Sequence, residues 1–163
     1  MSSTLAASAY EIVLALHVMA VVVAFGVTFA LPIMYAVAAR VDPRTLPLMH
    51  RVEYTIERFL INPGLIVVLA AGIFLASDGH LWGQFFVDWG VAAVVVIGAL
   101  VGAVLIPTAK RAETAAERDI AASSGGTIEM SAEYRGLTRR AEVVGTLLSL
   151  LVLVTILFMV IKP

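Results

Sequence analysis

Four long apolar stretches constrain this chain more than any other feature: approximately Ile12–Ala38, Phe59–Ala76, Val87–Ile106 and Val143–Ile161. Each reaches or approaches the roughly 20 residues an α-helix needs to cross a bilayer. A backbone in hydrocarbon must pair its own amides and carbonyls, so such stretches cross as helices. What remains between them is too short for a separate soluble unit. The 163 residues are therefore expected to form a single all-α domain, a polytopic membrane protein. Its four transmembrane helices, at approximately 10–39, 46–76, 87–122 and 131–161, should form an antiparallel bundle. Composition points the same way: 61% of residues are hydrophobic and 14% charged, whereas soluble domains carry about 45–50% and about 25%.

Basic residues orient the bundle. Arg40, Arg44, Arg51 and Arg58 fall between the first two stretches. Lys110, Arg111, Arg118, Arg135, Arg139 and Arg140 fall between the last two, and only Lys162 lies elsewhere. The positive-inside rule then predicts both termini outside, with Tyr10, Trp82 and Trp89 as an outer aromatic belt. No Lys or Arg precedes the first apolar run, which is also too long for the core of a signal peptide, so it is expected to stay as the first helix.

The totals also exclude. With no cysteine, disulfides, thiolate metal sites and thiol nucleophiles are out. A net charge of −1 with no unopposed basic face gives no case for nucleic acid. No nucleophile–base constellation, phosphate-binding glycine loop or two-histidine metal spacing is present, so no metal site, hydrolase or ATPase is expected.

Thr4 or Ser8 can cap the first helix, and Pro32 should kink its far end. Asp42-Pro43 and Thr45-Leu46-Pro47 start the second. There Met49, Val52, Ile56, Phe59 and Leu60 read as the apolar face, and His50, Arg51, Glu53, Glu57 and Arg58 as wetter faces. Asn62-Pro63-Gly64 should interrupt that helix, with Asn62 meeting the freed carbonyls. Gly98 and Gly102 make a small-xxx-small packing pattern. Ala109–Ala122, the breaker Ser123-Ser124-Gly125-Gly126 and the cap Ser131 predict a cytoplasmic helical hairpin between helices three and four, read as a solvated stalk. His50 and His80 read as surface histidines, and Glu11 and Asp88 as interfacial carboxylates.

His17 is the residue with most claim to chemistry. An ionisable side chain well inside a membrane helix usually faces the bundle interior or a cavity. Three roles stay open: ligation of haem or another cofactor, polar glue between helices, and proton handling. Arg58, nearest the membrane among its neighbours, could contact a lipid phosphate or a haem propionate.

The stretches L-H-V-M-A-V-V-V-A-F-G-V-T-F-A-L-P (Leu16–Pro32) and E-R-F-L-I-N-P-G-L-I-V-V-L-A-A-G-I-F-L (Glu57–Leu75) carry a resemblance over roughly the first two helices. They resemble a bacterial family of predicted four-helix integral membrane proteins of unknown function. More distantly they resemble the haem-binding protoporphyrinogen oxidase membrane family and the copper-resistance membrane domain. The resemblance implies a bacterial cytoplasmic (inner) membrane protein, binding b-type haem through His17 and acting in membrane redox chemistry. The oxidase family also places a lysine early in helix three, where this chain has F-F-V-D-W-G with Asp88, so that family's own reaction is not implied. The alternative is a non-catalytic accessory or scaffold subunit, embedded in membrane lipid within a larger membrane protein complex or a homo-oligomer.

Overall fold

A computed structural model describes residues 8–123 and 128–163. Thr4 and the Ser124-Gly125-Gly126 part of the expected breaker lie outside the described residues. Helix α1 (Ala9–Gly26) starts at a capping box: the Ser8 hydroxyl accepts from the Glu11 amide at 3.2 Å, and the Glu11 carboxylate accepts from the Ser8 amide at 2.8 Å. A 3-10 turn, Val27–Phe29, leads into α2 (Leu31–Val41), with Pro32 in its first turn. The proline ring cannot continue an α-helical ladder, and the tighter turn before it accommodates the break.

A second 3-10 turn (Pro43–Thr45) opens α3 (Leu46–Ile56), which passes through a π turn (Glu57–Ile61) into α4 (Asn62–Asp78). After a short connection come α5 (Phe85–Leu100), a π turn (Val101–Leu105), α6 (Ile106–Ala122) and α7 (Ala132–Ile161). The expected break at Asn62-Pro63-Gly64 is therefore a widening rather than an interruption. The Asn62 amide reaches back to the Glu57 carbonyl, and the Ile106 amide before Pro107 reaches back to Val101 in the same way. One extra residue per turn makes room for the ring, so the backbone itself, not the Asn62 side chain, absorbs the proline.

Among the described residues, four helical runs are long and apolar enough to cross a membrane: Ala9–Val41, Pro43–Asp78, Phe85–Ala122 and Ala132–Ile161. The chain is an all-helical integral membrane protein. The second and third runs hold 36 and 38 residues, so each is more than 50 Å long at about 1.5 Å per residue. The hydrocarbon core is only about 30 Å thick. The excess gathers at one end of the bundle, the hairpin end, where α3, the far half of α6 and the start of α7 meet.

The first span packs on the second, the second on the third and the third on the fourth, while the first and fourth approach each other mainly at the Val27–Phe29 turn. A tight approach joins α1 to α4: a Cβ built on Gly64 would lie 2.5 Å from the Cβ of Ala24. Gly90 meets the flexible end of the Met159 side chain of α7 still more closely, Gly98 keeps ordinary contact with Leu65, and Gly102 faces open space. The glycine pattern in the third span therefore marks packing at Gly90 and Gly98, inside the chain's own bundle. Phe25, Ile61, Leu65, Ile97, Leu148 and Val152 form the central core.

The hairpin is packed rather than a free stalk. Leu46 of α3, Ala112, Ala115 and Ala116 of α6 and Tyr134 of α7 form a second core. At its rim Arg51 pairs with Glu113 at 2.7 Å. Trp89, expected in an aromatic belt, donates from Nε1 to Thr155 of α7 at 3.0 Å and packs edge-on to Phe158. Trp82 is exposed and donates to Ser77 at 3.1 Å.

Candidate functional site

The second span turns a different face inward from the one its apolar pattern suggests. Leu46, His50, Glu53, Glu57 and Ile61 recur at helical spacing, and this stripe faces the bundle. His50 is 4% exposed and Glu57 2%, whereas Phe59 is 70% exposed. His50 is thus no surface histidine, and Glu53 and Glu57 do not sit on a wet face. Two causes act along the stripe. Near Phe59 the solvent decides, since in lipid an apolar side chain needs no burial and a polar one such as Glu57 must turn inward. On α3, beyond the hydrocarbon, His50 and Glu53 are enclosed because α6 and α7 of the hairpin pack over them.

Three spans supply a buried polar chain. The Tyr35 hydroxyl of α2 donates to the Glu53 carboxylate and lies 2.8 Å from His50 Nδ1. On its other side His50 Nε2 is 3.1 Å from the hydroxyl of Tyr134 on α7. Because Tyr35 has a single proton and gives it to Glu53, it accepts from His50, which places a proton on Nδ1. In the neutral ring Nε2 then accepts from Tyr134. The donors run in one direction, Tyr134 to His50 to Tyr35 to Glu53. Such a chain can pass a proton along its length by shifting each hydrogen to the next acceptor. The rings of Tyr35 and His50 also pack at 5.0 Å, and those of His50 and Tyr134 at 5.7 Å.

This chain forms the polar end of a cavity of about 770 Å³ between the first and last spans. Helix α7 lines it with one face from Tyr134 through Thr138, Gly145 and Leu148 to Val152. That stripe is roughly 27 Å long at about 1.5 Å per residue. Opposite stand Phe25, Phe29, Pro32 and Tyr35, and the two π turns contribute Glu57, Ile61 and Val101. The cavity is thus elongated, apolar along most of its length and polar at the hairpin end. Glu57 sits on its wall, and its Oε2 has no hydrogen-bond partner among the described residues.

His17 lies elsewhere. It is half-buried on α1 against α4, where a Cβ on Gly72 would be 3.4 Å from its ring. Its Nδ1 is buried without a hydrogen-bond partner among the described residues. That atom is shut off from solvent between α1 and α4, and His17 does not line the large cavity. Arg58 is exposed at the hairpin end, donating to the Tyr54 hydroxyl at 3.1 Å, with its guanidinium 5.8 Å from the centre of the Phe59 ring. Gly72, beside His17, and Arg58 are separated by about 21 Å along the second span, so the structure does not bring these two residues together. Glu11 caps α1, while Asp88 and His80 are exposed. Tyr35 and Tyr134 were not singled out from sequence, and His50, Glu53 and Glu57 were read as surface residues although they share one helical stripe.

The model of a family described as "Predicted integral membrane protein (DUF2269)" matches residues 11–163. It supports the resemblance to a membrane family of unknown function, and nothing in the comparisons supports the haem-binding oxidase or the copper-resistance domain. No curated protein and no solved structure matches the chain.

Proposed function

We propose that this chain, which belongs to the DUF2269 family of predicted integral membrane proteins, takes up an amphiphilic small molecule from the bilayer. The observation that carries this reading is the long cavity between the first and last spans, whose apolar walls run into the Tyr35–His50–Glu53–Tyr134 chain. Ligand sites of a few hundred Å³ with apolar walls and a few convergent polar groups are the usual form of small-molecule pockets. The occupant's tail lies along α7, and its head meets the hydrogen-bonding side chains at the hairpin end. The protein is multi-pass in the bacterial cytoplasmic membrane, with that end inside and both termini outside. Support for this orientation comes from Lys110, Arg111, Arg135 and the other basic residues gathered there.

Gly145 offers a test, because it lines the cavity and a Cβ there meets nothing within 4 Å. Gly145→Leu should fill the space without strain. Wild type and variant are extracted into native-lipid nanodiscs and their small molecules identified by mass spectrometry. The wild type should retain an amphiphile that the variant loses by about tenfold, equivalent to roughly 1.4 kcal/mol of binding. Identical profiles from two well-folded proteins would remove the reading.

A second reading is b-type haem on His17 and a part in membrane redox chemistry. The observation favouring it is a half-buried histidine on a spanning helix whose Nδ1 has no hydrogen-bond partner among the described residues, histidine being a common axial ligand of haem iron. Arg58 does not reach that position, so its role would be contact with a lipid phosphate. A Soret band in purified protein that vanishes in His17→Ala supports haem. A colourless wild type made by a haem-replete host removes it.

A further inference from the structure

We infer that the head of the cavity's occupant is a protonated amine, and that Glu57 is its anchor. The inference rests on the amphiphile reading above and names the chemical class of the ligand. Glu57 opens the π turn, is 2% exposed and lines the cavity, while its Oε2 has no hydrogen-bond partner among the described residues. A carboxyl so placed wants a donor, and in an apolar surround an ionised one wants a cation.

The nearby cations of the chain are engaged elsewhere. Arg58 donates to Tyr54, Lys110 sits 4.5 Å from the centre of the Tyr54 ring, and Arg51 is held by Glu113. Arg135 lines the cavity, but its Nη1 donates to the Met130 carbonyl at 2.6 Å. Glu53 already accepts from Tyr35 and Glu142 is exposed, so Glu57 is the buried carboxyl on the wall with an oxygen that lacks a partner among the described residues. With Glu53 and Glu142 also on the wall, three carboxyl groups and one guanidinium line the cavity, a set that suits a cationic head better than an anionic one.

A bare metal ion fits poorly: among the described residues no three His, Cys, Asp or Glu side chains converge as ligands. Ile61, one turn along from Glu57, lines the cavity together with Ile97, Val101 and Leu105, and such walls suit a cation that brings an apolar body with it.

Photoreactive dodecyl probes test this, identical in tail and carrying an amine, a hydroxyl or a carboxylate head. The protein is held in nanodiscs of phosphatidylcholine, and labelled residues are located by mass spectrometry. The amine probe should label Leu148 and Val152 about tenfold more than the hydroxyl probe. Glu57→Gln should reduce amine labelling to the hydroxyl level and leave hydroxyl labelling unchanged. On the wild type alone, unlabelled dodecylamine should displace the amine probe and dodecanol should not, a measurement independent of how the variant folds. Equal amine and hydroxyl labelling overturns the amine inference and leaves the amphiphile reading standing. Preference for the carboxylate probe also overturns it and points to Arg135 as the head's partner. Absence of cavity labelling by all three probes overturns both.

Discussion

His50 Nε2 and the Tyr134 hydroxyl lie 3.1 Å apart although 84 positions separate them in the chain. Through that bond, and through Tyr35 on its other side, His50 joins the first, second and fourth spans at the hairpin end. The polar end of the cavity exists because these three spans are held together there. Changes to the polar chain should therefore act on stability and on the cavity at once.

Tyr134→Phe keeps the ring and removes the hydroxyl, leaving His50 Nε2 buried without its partner. The expected loss is about 1–3 kcal/mol, the usual penalty for orphaning a buried polar group. Tyr35→Phe should lose more, since it strips a partner from both His50 and Glu53. Denaturant titrations in mild detergent measure both, and equal losses would mean that Tyr35 does not bridge the two.

Arg51→Ala gives the contrast. Its partners Glu113 and Glu117 lie at 2.7 Å and 3.5 Å, but the arginine side chain is 64% exposed. Water screens such pairs, so the change should cost about 0–1 kcal/mol. The same titration, read beside Tyr134→Phe, should rank the two clearly.

Gly64→Ala places a methyl 2.5 Å from the Cβ of Ala24. The helices α1 and α4 must then move apart, at about 1–3 kcal/mol for an overpacked contact. Because the obstacle is a single methyl, adding Ala24→Gly should restore a good part of the loss. A double variant no better than Gly64→Ala would show that the two residues are not the point of closest approach.

Glu57→Leu should stabilise the protein while weakening the binding assigned to the cavity. It replaces a buried carboxyl that lacks a partner among the described residues by an apolar side chain of similar size. Replacing unsatisfied or ionic buried groups by hydrophobic ones is often neutral or favourable, by about 1–4 kcal/mol. A rise in thermal midpoint with loss of dodecylamine labelling is the expected pair of results.

The chain contains no cysteine, so single cysteines report topology cleanly. In intact cells a membrane-impermeant maleimide should label Ser3→Cys and Gln84→Cys, and should reach Ser124→Cys only after permeabilisation. Labelling of position 124 from outside would invert the proposed orientation.

Much of the architecture is legible from residue order. Pro43 and Pro47 sit at early helical positions, as their missing amides require. Ser8 and Ser131 both cap the helices they precede. The candidate site was hidden for a specific reason. His50, Glu53 and Glu57 look like the wet side of an amphipathic helix, and only the packing of α6 and α7 across that side turns it into an interior. Their partners Tyr35 and Tyr134 carry no local signal, because each is one aromatic in a helix that reads equally well without it.

Sequence alone determined the number, length and helical nature of the spans, since a chain in hydrocarbon must bond its own backbone and needs about 20 residues to cross. Tertiary structure alone decided which face of each span looks inward. An apolar face can meet lipid or protein at nearly equal cost, so hydrophobic pattern does not choose between them. The choice fell to contacts between distant residues: the close approach of Gly64 to Ala24, and the bonds that draw Tyr35, His50 and Tyr134 together.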